Sequence, residues 1–113
     1  MAGRMQLVTA VVQRKDGKKA SKAAIAAGAS GVTSFYARGT GVRQRLGLLG
    51  RLIQAEKEVL LVAVPRGRAS AILEALTEAV GLDQPGKGFA WVQELEQVVT
   101  WLPPEDDDAS SPD

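Results

Sequence analysis

Two stretches of the chain carry the same alternation of strand, helix and strand, and this repetition restricts the fold more than any other feature. Leu7-Val8-Thr9-Ala10-Val11-Val12 is a short β-rich run. It leads through the turn Asp16-Gly17 into an alanine-rich helix that stops at Gly28, and Gly31-Val32-Thr33-Ser34-Phe35-Tyr36 reads as a second strand. In the second half Val59-Leu60-Leu61-Val62-Ala63-Val64 is a strand closed by Pro65. Apolar residues then fall at Ala69, Ile72, Leu73, Leu76, Ala79 and Val80, the i, i+3, i+4, i+7 spacing of one buried helical face. Gly81 is the natural stop for that helix. Phe89-Ala90-Trp91-Val92 makes a fourth strand, and Val98-Val99-Thr100-Trp101 reads as a short fifth.

Two β-α-β units in tandem predict an α+β sandwich of the ferredoxin-like kind, β-α-β-β-α-β. Both helices should lie on one face of a four-stranded antiparallel sheet. The 113 residues make one domain, and aromatics are only 4%, so the core must be built from Val, Leu, Ile and Ala. A core this small is marginal alone, and a second copy is the expected cover for the other sheet face.

Absences narrow the chemistry. The chain has no cysteine and no histidine, which excludes disulfides, iron–sulfur clusters, His-based metal sites and imidazole bases. Serine and threonine have no histidine to activate them, and acylphosphatase-like chemistry on this fold would need an Asn that the chain lacks. Glu74 and Glu78 stand at i, i+4 as a solvated helix face. No catalysis is expected. No apolar run reaches the roughly 18–20 residues of a membrane span, Met1 to Met5 lacks the core of a secretory signal, and a cytoplasmic location is expected.

The net charge of +1 hides an asymmetry. Five of the 13 acids (Glu105, Asp106, Asp107, Asp108 and Asp113) fall in the last nine residues, leaving fourteen bases against eight acids before them. Residues 103–113 (PPEDDDASSPD) cannot bury apolar surface and are expected to be a disordered acidic tail after a domain spanning 5–102. The basic excess suits a phosphate or carboxylate ligand or an acidic partner surface, and equally a solubilising charged face.

One segment exceeds the simple fold. Strands two and three should be joined by about two to five residues, yet the twenty residues 38–57 (RGTGVRQRLGLLGRLIQAEK) intervene. Val42, Leu46, Leu49 and Ile53 fall at helical spacing, but Gly47 and Gly50 weaken a helix. The segment reads either as a helix packed on the protein's own surface or, the favoured reading, as an arm that presents Arg45, Leu46, Leu48, Leu49, Arg51, Leu52 and Ile53 to a protein partner.

Three glycine-bearing spots stand at strand ends: Gly28 to Thr33, Arg38-Gly39-Thr40-Gly41, and Pro85-Gly86-Lys87-Gly88. Glycines let backbone N–H groups converge on an anion, and Lys or Arg supplies charge. None is a P-loop, and each alone is also a plausible turn. A rival signal is Lys87-Gly88-Phe89-Ala90-Trp91-Val92, which matches the first half of an RNA-recognition signature. Phe89 and Trp91 share a sheet face where they could stack bases. The signature belongs on the third strand, however, and here it lies on the fourth.

With these residues in view, Met5 to about Trp101 resembles the PII signalling superfamily, particularly its divergent PII-like branch. The landmarks are MQLVTAVVQ, GASGVTSFYARGTG, the long loop, the strand ending in VAVP, and GKGFAWV after the second helix. The resemblance implies a homotrimer whose sheets pack around a three-fold axis. It implies a non-catalytic regulator that binds adenine nucleotide between subunits and reports ligand state to a target, a membrane transporter or a metabolic enzyme, through the long loop (the T-loop of that family). It places Val32 and Thr33 near adenine and ribose, and Arg38, Gly39, Thr40 and Gly41 beside the nucleotide. Val64 would line the base, with Gly86, Lys87 and Gly88 on phosphate. The family's Arg-x-Arg near the C-terminus is missing, with Val98-Val99-Thr100-Trp101 in its place. The family's glutamine for 2-oxoglutarate and Mg²⁺ falls near Arg43, and the loop has no tyrosine for uridylylation. ADP or AMP is therefore favoured over ATP, with Arg43 a candidate for a small anion such as bicarbonate, and no metal or DNA is implied. The alternatives are an RNA-binding domain using Phe89 and Trp91, or a ligand-free scaffold trimer.

Overall fold

The computed structural model describes residues 4–39 and 56–101. Four strands, β1 (Met5–Gln13), β2 (Thr33–Arg38), β3 (Glu56–Pro65) and β4 (Gly88–Leu95), form one sheet in the order β2-β3-β1-β4. Helix α1 (Gly17–Ala26) follows β1 after a 3₁₀ turn at Arg14–Asp16, and α2 (Ala69–Leu76) follows β3, its last turn widening into a π turn at Thr77–Gly81. The β-α-β-β-α-β order is the expected one, and every neighbouring pair of strands is antiparallel.

Strand periodicity decides what each face does. Val8, Ala10 and Val12 on β1 and Leu60, Val62 and Val64 on β3 are all at most 1% exposed, and they meet Ala20 and Ala24 of α1 and Ile72 and Leu76 of α2. The intervening residues face away from both helices. On that second face Val11 pairs with Val59 and Phe89, Phe35 pairs with Val59, and Thr9 lies between Leu61 and Trp91. The neighbours of Thr9 bury it, yet Phe35, Phe89 and Trp91 remain 49%, 58% and 42% exposed. One helix layer covers one face, and an apolar face is left over.

Several boundaries differ from the sequence reading. β2 begins at Thr33 rather than Gly31, and β4 runs on to Leu95. β3 is longer at both ends, taking in Glu56 to Glu58 and Pro65. The long connection is correspondingly shorter than residues 38–57, because Arg38 pairs with Glu56 and Ala37 with Lys57 in the β2–β3 ladder. The helix over Ala69–Val80 is α-helical only to Leu76. Beyond it the Leu82 N–H donates to the Thr77 carbonyl at 3.3 Å, and Gly81 takes the positive φ (81°) that ends the helix. The fifth strand is absent: Val98 to Trp101 pair with nothing among the described residues, and Val99 and Trp101 are 92% and 77% exposed. Val-Val-Thr-Trp suits a pleated surface, but a strand also needs a neighbour for its backbone, and within one chain β4 is already the sheet edge. Residues 40–55 and the acidic tail lie outside the described residues.

Candidate functional site

The antiparallel register brings the end of β2, the start of β3, the end of β1 and the start of β4 to one end of the sheet. That end gathers Arg38 and Gly39, Glu56 and Lys57, Gln13 and Arg14, and the turn Pro85 to Gly88. Among these are two of the three glycine-bearing spots.

The turn before β4 is held in place. Gln13 Nε2 donates to the Gly86 carbonyl at 2.6 Å, and the Gln84 N–H donates to the Gly81 carbonyl at 2.9 Å. Gly86 has φ of 76°. Gly88 has φ of 131°, and a Cβ there would run into the carbonyl oxygen of Val11 on the paired strand. Gly88 is therefore a glycine because β1 passes so close. The half-buried stem of Lys87 crosses Gly81, where a Cβ would stand 3.8 Å from Lys87 Cγ. Among the described residues Lys87 enters no ion pair.

Gly39 differs from both of these glycines. Its φ is not positive, and a Cβ would meet only Lys57 Cγ, at 4.0 Å. Among the described residues neither conformation nor packing demands glycine at this position, which leaves its backbone accessible to a close approach.

Beside Gly39 the charges are organised. Arg14 Nη1 donates to Glu56 Oε1 at 2.9 Å, and the Arg14 guanidinium carbon lies 4.1 Å from the centre of the Tyr36 ring. The Glu56 carboxylate, with Tyr36 adding to it, raises the Arg14 pKa and keeps the group charged at every accessible pH.

The expected site residues do not converge in one copy. Gly39 follows β2 and Gly86–Gly88 lead into β4, and these are opposite edges of the sheet. Three strand spacings, about 14 Å, separate those edges. Thr33 is at the far end of β2 and Val32 just before it, six residues or about 20 Å of strand from Gly39. Val64 lies towards that far end too, but its side chain is packed in the core and its backbone groups face Gln6 on β1, so it offers a ligand neither. The opening is beside it: the ladder with β2 stops at Leu61, β3 runs four residues further, to Pro65, and the N–H and C=O of Ala63 face outwards there. Thr40, Gly41, Arg43 and the arm residues from Arg45 to Ile53 lie outside the described residues. Reading the sequence missed Gln13, Arg14 and the β3 overhang. No local motif marks them, because each acts through a partner supplied by strand register.

Among the described residues no helix is long and apolar enough to cross a membrane. The chain matches the family model for nitrogen regulatory protein P-II over residues 5–103. It is similar in structure to Arabidopsis thaliana PII bound to citrate, with TM-score 0.61 and 20% identity over 80% of this chain and 76% of that one. It is also similar to a Bacillus subtilis GlnK–ATP complex, with TM-score 0.63 and 20% identity over 84% of each chain. No curated protein sequence matches significantly. Strand order, the helices on one face and the match over nearly the whole patterned chain agree, and the protein belongs to the nitrogen regulatory protein P-II family.

Proposed function

We propose that this protein is a non-catalytic regulator that assembles as a homotrimer and binds an adenine nucleotide in the clefts between copies. The observation that carries this reading is the division of the expected site residues between the two ends of the sheet. The phosphate end of each copy presents Gly39 at one sheet edge and Gly86, Lys87 and Gly88 at the other. Its neighbour supplies Val32, Thr33 and the open β3 backbone at Ala63, next to Val64, whose N–H and C=O groups suit the edge of a base. The leftover apolar face, with Phe35, Phe89 and Trp91, gives the copies a reason to pack. The GlnK relative is a complex with ATP and the plant relative is bound to citrate, so anionic effectors have precedent on this fold.

ADP or AMP is the favoured effector, because the chain offers no Arg-x-Arg near its C-terminus for a third phosphate. Residues 40–55, with Thr40 and Gly41 against the nucleotide and Arg43 open to a small anion such as bicarbonate, carry the signal to a cytoplasmic target. A membrane transporter or a metabolic enzyme fits that role. Calorimetry with AMP, ADP, ATP and an RNA oligomer tests the reading. One charge-assisted contact contributes about 1.5–3 kcal/mol, so Lys87→Ala should weaken ADP binding roughly ten- to a hundredfold.

The RNA reading retains one observation in its favour. The rings of Phe89 and Trp91 are stacked, with centroids 5.8 Å apart, on the exposed sheet face. RNA binding lost in Phe89→Ala, with no nucleotide response in the wild type, would replace the proposal. Binding in neither assay would leave a scaffold trimer.

A further inference from the structure

A row of charges crosses the sheet beside Gly39. Arg38 on β2 stands opposite Glu56 on β3 in register, and Arg14 reaches Glu56 from the other side, after the end of β1. Glu56, the first residue of β3, therefore pairs its carboxylate with Arg14 and has Arg38 as its register partner on β2. Tyr36 completes the cluster. Its ring lies under the Arg14 guanidinium, which uses its face for the ring and keeps its edge donors for hydrogen bonds. The contact to Glu56 uses only Nη1 of that edge.

This cluster makes little sense as a stability device. The Arg14 and Glu56 side chains are 50% and 37% exposed, and ion pairs that open to water add little to folding. It makes sense as an exchange site. A guanidinium binds the paired oxygens of a phosphate through two parallel N–H donors, a better match than a single carboxylate oxygen. The ring meanwhile holds the guanidinium plane in place, so little side-chain freedom is lost when one anion replaces another.

We propose that Arg14 is an anion-binding residue of the nucleotide site, and that Glu56 and a nucleotide phosphate compete for its guanidinium. The inference rests on the nucleotide reading above and adds to it a residue, a built-in competitor and a reporter. When the phosphate wins, Arg14 moves on the Tyr36 ring, and the carboxylate at the head of β3 loses its partner. Ligand occupancy is thereby converted into a change at the root of the β2–β3 connection, without any change in the core.

ADP is the probe, titrated by calorimetry and followed through the ring resonances of Tyr36, the only tyrosine in the chain. The wild type should bind ADP with a shift of those resonances. Removing the competitor in Glu56→Gln should tighten ADP binding about three- to tenfold, and Arg14→Gln should weaken it by about tenfold or more and abolish the Tyr36 shift. Arg14→Lys keeps the charge without the planar fork and should fall between the two. Both side chains are exposed, and thermal melts confirm that the variants fold. If ADP binds while Glu56→Gln matches the wild type within twofold and Tyr36 does not move, the exchange is wrong and the nucleotide reading stands. If AMP, ADP and ATP all fail to bind the wild type, both are wrong.

Discussion

Gly88 and Gly39 look alike in the sequence, as glycines flanking strands at the proposed ligand end, and one methyl group separates their roles. In Gly88→Ala the new Cβ meets the Val11 carbonyl oxygen, with the Val12 Cα at 3.2 Å, at a φ of 131°. An L-residue held in that region carries about 1–3 kcal/mol of strain. Relieving the contact means moving β4 off β1 where Gly88 pairs with Val12, which gives up one or two hydrogen bonds of about 1 kcal/mol each. The sum is about 3–5 kcal/mol, a large part of the roughly 5–15 kcal/mol that holds a domain together. At an m-value near 1.5 kcal/mol/M, the urea midpoint should fall by about 2 M or more. Gly39→Ala meets nothing closer than 4.0 Å, and its φ is not positive, so its midpoint should stay within about 0.3 M, with a small gain from reduced unfolded-state entropy. Its ADP affinity, by contrast, should drop about tenfold or more, because the Cβ intrudes where backbone donors approach phosphate. Both melts are run at one protein concentration, since assembly adds to apparent stability. Equal destabilisation by the two substitutions, or a Gly88→Ala variant as stable as the wild type, refutes the assignment.

Three further outcomes are expected. Ile72→Ala empties a fully buried position between α2 and the sheet, and should lower stability by about 2–5 kcal/mol in the same urea assay. Gly17→Ala places a Cβ against the Glu58 carboxylate, the far end of a flexible side chain that can turn away, so a stability change under about 1 kcal/mol is expected. Trp91→Glu puts a charge on the exposed sheet face, and light scattering should show the mass fall from three times 11.9 kDa to a single chain.

What could be read in advance was what each residue signals to its own neighbours in sequence. The strand runs of β1 and β3 and the apolar stripe from Ala69 to Val80 carry unambiguous periods, and the structure buries Val8, Leu60, Ile72 and Leu76 accordingly. Gly81 announces a helix end by chemistry alone. Features that depend on distant partners were not legible. Val98-Val99-Thr100-Trp101 has strand-forming residues, but β-propensity is a fit to a neighbouring strand, and the described residues offer none there. Arg14 is one basic residue in a basic stretch until register sets it against Glu56, 42 positions away, and over Tyr36. Val64 illustrates the difference between sequence position and side-chain direction. Family likeness points to it, but the pleat turns its side chain into the core and its backbone pairs with Gln6, leaving the free N–H and C=O to its neighbour Ala63.

The two-ended distribution of the site has a thermodynamic consequence that links the open face to the ligand. If one copy contributes Gly39 and Lys87 and its neighbour contributes Thr33 and the free edge of β3, a nucleotide binds only to the assembled form. Free energy of binding is then also free energy of assembly. The coupling is reciprocal: whatever loosens the packing of Phe35, Phe89 and Trp91 must weaken nucleotide binding. A core this small leaves an apolar sheet face bare, and in the proposed assembly covering that face with copies of the same chain creates the clefts in which a ligand is held by two chains at once. On that proposal, the surplus of apolar surface that makes the single chain marginal is what lets a four-stranded sheet sense a ligand.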